Sequence, residues 1–140
     1  MTRKYRDEDL GRIMEIWLNS NFQAHDFISK NYWISNVDAV SSMLPTAEVY
    51  VYEENNHIEA FVGIDNGYIA GIFVSEAVRS NGMGKLLLEK CKEIYKKLSL
   101  CVYEKNGRAV RFYLREGFVV KTKQTDINTG ESEYFMTWNK

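Results

Sequence analysis

Apolar residues recur at Leu10, Ile13, Met14, Trp17 and Leu18, an i, i+3, i+4, i+7, i+8 stripe that predicts an amphipathic helix with Asp7 as its N-cap. A second stripe, Trp33, Val37, Val40 and Leu44, predicts another helix that Pro45 stops. The period then drops to two. Residues 47–53 and 58–64 alternate apolar and polar across an Asn55-Asn56 turn, and Asn66-Gly67 joins the second run to a third at 68–74. These three strands are expected to form an antiparallel meander. From 82 to 97 the helical period returns through Met83, Leu87, Cys91 and Ile94, continuing to Leu98. A strand at 99–103 follows, then a helix at 106–116 capped by Gly117. Two strands, at 118–125 and 133–138, close the chain around a turn at Asn128-Thr129-Gly130.

The strand at 68–74, the helix at 82–97 and the strand at 99–103 make a βαβ unit, which requires parallel strands and a right-handed crossover. The expected architecture is therefore α/β, with α/β/α layers around a mixed, mostly antiparallel central sheet. No repeat, low-complexity segment or linker interrupts residues 1–140, so one domain is expected.

Composition narrows the function class. The chain has 140 residues, 45% hydrophobic and 14% aromatic, enough for a packed core. Eighteen basic residues against 19 acidic ones leave a net charge of −1, without the basic excess of a nucleic-acid binder. No window approaches the roughly 18 apolar residues of a membrane span, and residues 1–7 are polar where a signal peptide is apolar. A cytoplasmic protein without nucleic-acid or membrane partners is expected. Cys91 and Cys101 are not in a CxxC, and with only His25 and His57 beside them no metal-ligand spacing appears. Reduced thiols and no metal are expected.

The chemistry concentrates in two stretches. The first, Arg79-Ser80-Asn81-Gly82-Met83-Gly84-Lys85, lies between a strand and a long helix. Its glycines permit close backbone approach, the helix start offers unpaired N–H groups and a positive dipole end, and Arg79 and Lys85 add charge. The physical reading is an anion site, most naturally for a pyrophosphate, against the plainer one of a tight turn into a helix. A P-loop is excluded because Leu86 follows Gly84-Lys85 and no glycine stands five residues before Gly84. A dinucleotide fingerprint needs a third glycine where Leu87 stands and repeated βα units in place of the hairpins, so a nucleotide reading with Glu104 on a ribose is disfavoured. The second stretch runs from Leu100 to Phe118. Asn106 at a helix start and Tyr113 seven residues on share nearly one helical face.

Taken together, R-x-x-G-x-G at 79–84 and L-x-V-x-x-x-N-x-x-A-x-x-F-Y-x-x-x-G-F at 100–118 resemble the GCN5-related N-acetyltransferase (GNAT) superfamily, in its order and spacing. The first half matches only in its order of strands and helices. Glu76 departs from the proline that many members carry after the fourth strand, which is expected to alter only the loop.

The resemblance implies an acetyl-CoA site between splayed fourth and fifth strands. The backbone of Ile72, Phe73 and Val74 would then pair with the pantetheine arm, and Arg79, Asn81, Gly82, Met83, Gly84 and Lys85 would hold the pyrophosphate. Asn106 matches the position that bonds the cofactor, and Tyr113 matches the usual general acid. The implied reaction is direct attack of an amine on the thioester in a ternary complex, with a backbone N–H near Val74 meeting the oxyanion. A phenol with a reference pKa of about 10 is a neutral donor at pH 7, suited to protonate the departing thiolate.

A base for the acceptor amine is less determined: His25, Asp26, Glu59 and Asp65 are candidates, of which His25 has a suitable reference pKa and lies in the connection that borders the family's acceptor site. His57 reads as a solvated hairpin tip. Phe22, His25, Phe27 and Tyr32, with Trp33 on one side and Tyr134 and Phe135 on the other, are the candidate acceptor cleft for a small amine or a peptide. Cys101 borders the implied cofactor strand and is expected to be structural rather than an acyl carrier. The resemblance admits a monomer or a homodimer, and a non-catalytic acyl-CoA-binding module on the same fold is the alternative reading.

Overall fold

The computed structural model describes residues 1–78 and 81–140. The chain runs β1 (Thr2–Lys4), α1 (Leu10–Ala24), α2 (Lys30–Ser35), α3 (Val37–Met43), β2 (Glu48–Glu54), β3 (His57–Asp65), β4 (Tyr68–Val74), α4 (Met83–Ile94), β5 (Lys97–Tyr103), α5 (Gly107–Arg115), β6 (Val119–Thr125) and β7 (Ser132–Asn139). The strands form one seven-stranded sheet in the order β1-β2-β3-β4-β5-β7-β6. Every pairing is antiparallel except β4 with β5. This is the mixed α/β sheet that the periodicity implies.

Strand alternation sends successive residues to opposite faces and so divides the core in two. On one face, Tyr50, Val62, Leu100 and Val102 pack beneath α4 and α5. On the other, Val49, Val51 and Phe61 meet Ile13, Ile16 and Trp17 of α1 and Trp33 of α2. Leu87 and Leu88 of α4 are completely buried, so truncating either to alanine costs about 2–5 kcal/mol.

Five features differ from the sequence reading. Asp9, not Asp7, is the N-cap residue of α1, after a 3-10 turn over Asp7–Asp9, and its side chain makes no cap bond to the helix. Its carboxylate accepts the Arg6 N–H at 2.9 Å and a bidentate pair from Arg3 at 2.9 and 3.0 Å. The expected helix through Trp33 and Leu44 divides at Asn36, whose side-chain amide donates to the Tyr32 carbonyl at 2.7 Å and competes with the helical ladder. Pro45 sits within a short 3-10 turn, Leu44–Thr46. Helix α4 ends at Ile94 because Tyr95 is extended, which hands Leu98 to β5. Strand β1 has no apolar alternation to announce it. It is held by pairing with β2 and by Arg3, whose guanidinium also reaches Glu53 at 3.1 and 3.2 Å.

Candidate functional site

Strands β4 and β5 pair only at Tyr68↔Ser99 and Ile69↔Leu100 and then part. Their outer neighbours hold on: β3 stays in register with β4 as far as Ala60↔Val74, and β7 with β5 as far as Tyr103↔Glu133. The sheet therefore opens between 70–74 and 101–103, leaving backbone hydrogen-bonding groups of β4 without a partner strand on that side. A register shift opposite Gly63–Ile64 makes Ala70 the extra residue on β4, and such a bulge bends and twists its strand. Beyond it Ile72 and Val74 pack with the core under α4, while Phe73 faces the other way and stacks on Phe61 at 4.9 Å.

The first turn of α4 sits against this opening. Gly82 is its N-cap at φ 78°, ψ 8°, a left-handed conformation that favours glycine. Gly84 is helical. A Cβ there would lie 3.7 Å from Val74 and 3.8 Å from Ile72 and Phe112, ordinary contact distances, so packing does not demand a glycine. The Asn81 N–H donates to the Val78 carbonyl at 3.2 Å, so it is not among the unpaired donors of this helix start. Lys85 leans toward Glu116, 4.0 Å away. Arg79 lies outside the described residues.

Asn106 caps α5 across the opening. Its Oδ1 accepts the Ala109 N–H at 3.3 Å, so its Nδ2 is the atom that meets His25 Nε2 at 3.2 Å. On the far side of the imidazole, Nδ1 lies 3.0 Å from Asn21 Oδ1, and Asn21 Nδ2 donates to the Trp17 carbonyl at 2.9 Å. Backbone groups at both ends of this chain fix both amide orientations, and these fix the tautomer: His25 is neutral, carries its proton on Nδ1 and accepts at Nε2. The ring stacks on Trp33 at 5.4 Å and meets Phe27 and Tyr103 edge-on at 5.8 and 5.0 Å. Burial pushes its pKa from 6.5 down to about 4. Neither nitrogen is left over to take a proton from an amine.

Tyr113 is 7% exposed and lies edge-on to Phe112 and Phe118 in the core under α4. Burial, with Cys91 as a lesser cause, raises its pKa, so the phenol is a neutral donor near pH 7. Burial likewise raises the Cys101 thiol, which disfavours the nucleophilic thiolate.

The residues read as an acceptor cleft separate into parts. Phe27, Tyr32 and Trp33 cluster with His25 on the α1 face, and Lys30 lies 5.2 Å over the Phe22 ring. Tyr134 and Phe135 are consecutive in β7 and point to opposite faces. Tyr134 packs with the α4 core and donates to Glu104 at 2.8 Å, so it does not line a cleft with Phe135. A polar cavity of about 420 Å³ opens where β4 ends, walled by Arg12, Glu15, Ser20, Gln23 and Glu76. Of the other candidate bases, Asp26 is exposed, Glu59 is paired with Arg12 at 3.3 Å, and Asp65 sits at the paired end of β4, opposite Tyr68. His57 is exposed in the β2–β3 hairpin. Among the described residues no cluster of three His, Cys, Asp or Glu side chains is arranged for a metal, and no helix is long and apolar enough to cross a membrane.

Two residues here have no individual role in the sequence reading, which has Asn21 only as the first of a 21–27 connection able to touch a ligand and Tyr103 only as a strand end. Asn21 is 3% exposed, a polar side chain on the buried stripe of α1, four residues after Trp17 and four before His25. That i, i+4 spacing was the available signal. Tyr103 had none beyond its place at the end of a strand.

Comparison with known proteins bears on the family and the fold. A model of the acetyltransferase (GNAT) domain matches residues 4–138. The peptidyl-lysine N-acetyltransferase YiaC of Escherichia coli K12 is 32% identical over 140 residues, covering 99% of this chain and 96% of that protein. The solution structure of apo YjaB from Escherichia coli superposes with a TM-score of 0.87 at 28% identity, covering 99% of this chain and 96% of that one. The PaiA N-acetyltransferase of Thermoplasma acidophilum in complex with coenzyme A shares the fold, with a TM-score of 0.85 at 20% identity over 100% of this chain and 98% of its own. The chain belongs to the GNAT family of N-acetyltransferases.

Proposed function

We propose that this protein transfers an acetyl group from acetyl-CoA to a primary amine, and that the acceptor is a lysine side chain of a peptide or protein. The observation that carries the reading is the opening between β4 and β5, flanked by the glycine-led start of α4 and by the Asn106 cap of α5. Acetyl-CoA supplies an activated thioester. The stretch Ile72, Phe73 and Val74 lines the opening, and those of its backbone groups that face away from β3 bind the amide-bearing arm as a strand would, beside the Ser20 hydroxyl that donates to the Val74 carbonyl at 3.3 Å. The N–H groups from Gly82 through Met83 and Gly84 to Lys85 hold the pyrophosphate, with the Lys85 ammonium and Arg79 as charge partners. Asn106 bonds the arm from the other side of the opening.

Tyr113, held neutral by burial, donates the proton that the leaving thiolate needs. Attack is direct. His25 serves the cofactor side; the acceptor ammonium sheds one proton to solvent before attack, and the second, released as the amide forms, passes through water and restores the Tyr113 hydroxyl. Phe22, Phe27 and Tyr32 offer an apolar wall to the lysine stem, and in the neighbouring cavity, where Arg12 is paired with Glu15 at 2.7 Å, Glu76 attracts cationic substrates. The lysine acceptor is supported by the activity named for YiaC.

The test is thiol release from acetyl-CoA in the presence of lysine peptides or small amines, with mass spectrometry of the products. Acetylation of the lysine side chain, without a covalent acetyl-enzyme, is the expected result. Acetylation of small amines alone removes the peptide acceptor. Coenzyme A binding with no turnover of any amine supports a non-catalytic module.

A further inference from the structure

The Asn106 amide is gripped from two sides, and one grip comes from an element distant in sequence. The helix end fixes its oxygen through the Ala109 N–H, and His25 fixes its nitrogen. Without the second contact the amide retains only a single hydrogen bond and can rotate about its side chain. The imidazole is itself held on several sides. Stacking on Trp33, edge contacts with Phe27 and Tyr103, and the Asn21 bond at Nδ1 together set the ring plane, and hence the direction of the Nε2 lone pair.

We propose that His25 is a positioning residue for the cofactor: its Nε2 orients the Asn106 amide so that the second amide N–H stays free to bond acetyl-CoA. This rests on the reading of Asn106 as a cofactor contact. The consequence is directional. The connection between α1 and α2, on the acceptor face, reaches the cofactor through one hydrogen bond, so damage at His25 should register as weaker cofactor binding and not as slower chemistry.

The loss of one oriented neutral hydrogen bond corresponds to a weakening of about five- to tenfold. Coenzyme A affinity is measured by calorimetry for wild type, His25→Phe, His25→Gln, Asn106→Ala and the His25→Phe/Asn106→Ala double variant, alongside steady-state kinetics. The proposal predicts that His25→Phe weakens binding about five- to tenfold and raises the acetyl-CoA KM by the same factor, with kcat within about twofold. His25→Gln, whose Oε1 reaches the place of Nε2, restores most of the affinity. In the Asn106→Ala background, His25→Phe adds nothing further.

Wild-type affinity in His25→Phe, or additive losses in the double variant, overturns the proposal. So does a collapse of kcat at unchanged acetyl-CoA KM, which marks a base. Wild-type affinity in Asn106→Ala instead removes the underlying assignment of Asn106, and the proposal with it. Should His25→Phe not fold, His25→Asn takes its place. Asparagine can still bond Asn21 but is too short to reach Asn106, and the same outcomes decide.

Discussion

His25 Nε2 lies 3.2 Å from Asn106 Nδ2, joining positions 81 residues apart across the mouth of the opened sheet. Backbone groups terminate the hydrogen-bond chain at each end, so the histidine has one admissible tautomer and no spare lone pair. A protonated ring would aim an N–H at the Asn106 amino group. Burial and geometry thus act in the same direction.

Acid should therefore destabilise the protein through His25. Its folded pKa of about 4 lies below the 6.5 of the free group, so between those values the unfolded chain binds a proton that the native ring refuses. This contribution is complete above about pH 6.5 and is lost as pH falls toward 4, amounting to roughly 2 kcal/mol by pH 5. Urea unfolding at about pH 7.5 and pH 5 should show wild type losing that much more than His25→Gln. Equal losses would contradict the assignment.

The two glycines of α4 should separate fold from function. Gly84→Ala fits its surroundings and adds helix propensity, so stability holds or rises by up to about 1 kcal/mol while coenzyme A affinity falls. Gly84→Asp keeps the fold and abolishes binding, because it sets a negative charge where phosphate is held. Gly82→Ala forces a left-handed alanine and costs about 1–2 kcal/mol. Calorimetry and chemical unfolding on the same samples check all three, and unchanged affinity in a folded Gly84→Asp would sink the phosphate assignment.

Tyr113→Phe keeps the ring that packs with Phe112 and Phe118 and deletes only the hydroxyl. Turnover should fall about 100-fold, within the range for a general acid, with coenzyme A affinity intact. Rates near wild type would assign the proton to another donor.

Arg3→Ala should test the fold alone. The Arg3 and Asp9 side chains are 10% and 6% exposed, and removing Arg3 strands the buried Asp9 carboxylate, which Arg3 and Arg6 hold below its ordinary pKa against burial. A loss of about 3–5 kcal/mol in urea unfolding is expected, with unchanged cofactor affinity in the folded protein.

Much of this was legible from residue order. Period-two and period-3.6 patterns mark most elements because each buries one face, and two glycines at a helix start together with Asn106 and Tyr113 mark the half proposed to hold the cofactor. What stayed hidden depends on contacts without periodicity. Strand β1 is short and polar, and its anchor Arg3 acquires meaning only beside Glu53 and Asp9. Asn36 looks like any helix residue until its side chain takes the Tyr32 carbonyl. A suitable reference pKa made His25 look like a base, but that value belongs to a solvated ring, and the aromatic enclosure that lowers it comes from α2 and β5.

The central claim is that the opening between β4 and β5 is an acetyl-CoA site. A calorimetric titration of the protein with acetyl-CoA, with NADH as the control ligand, tests it most directly. The account predicts saturable one-to-one binding of acetyl-CoA and none of NADH. Preferential binding of NADH, or no heat with acetyl-CoA or coenzyme A, would contradict it.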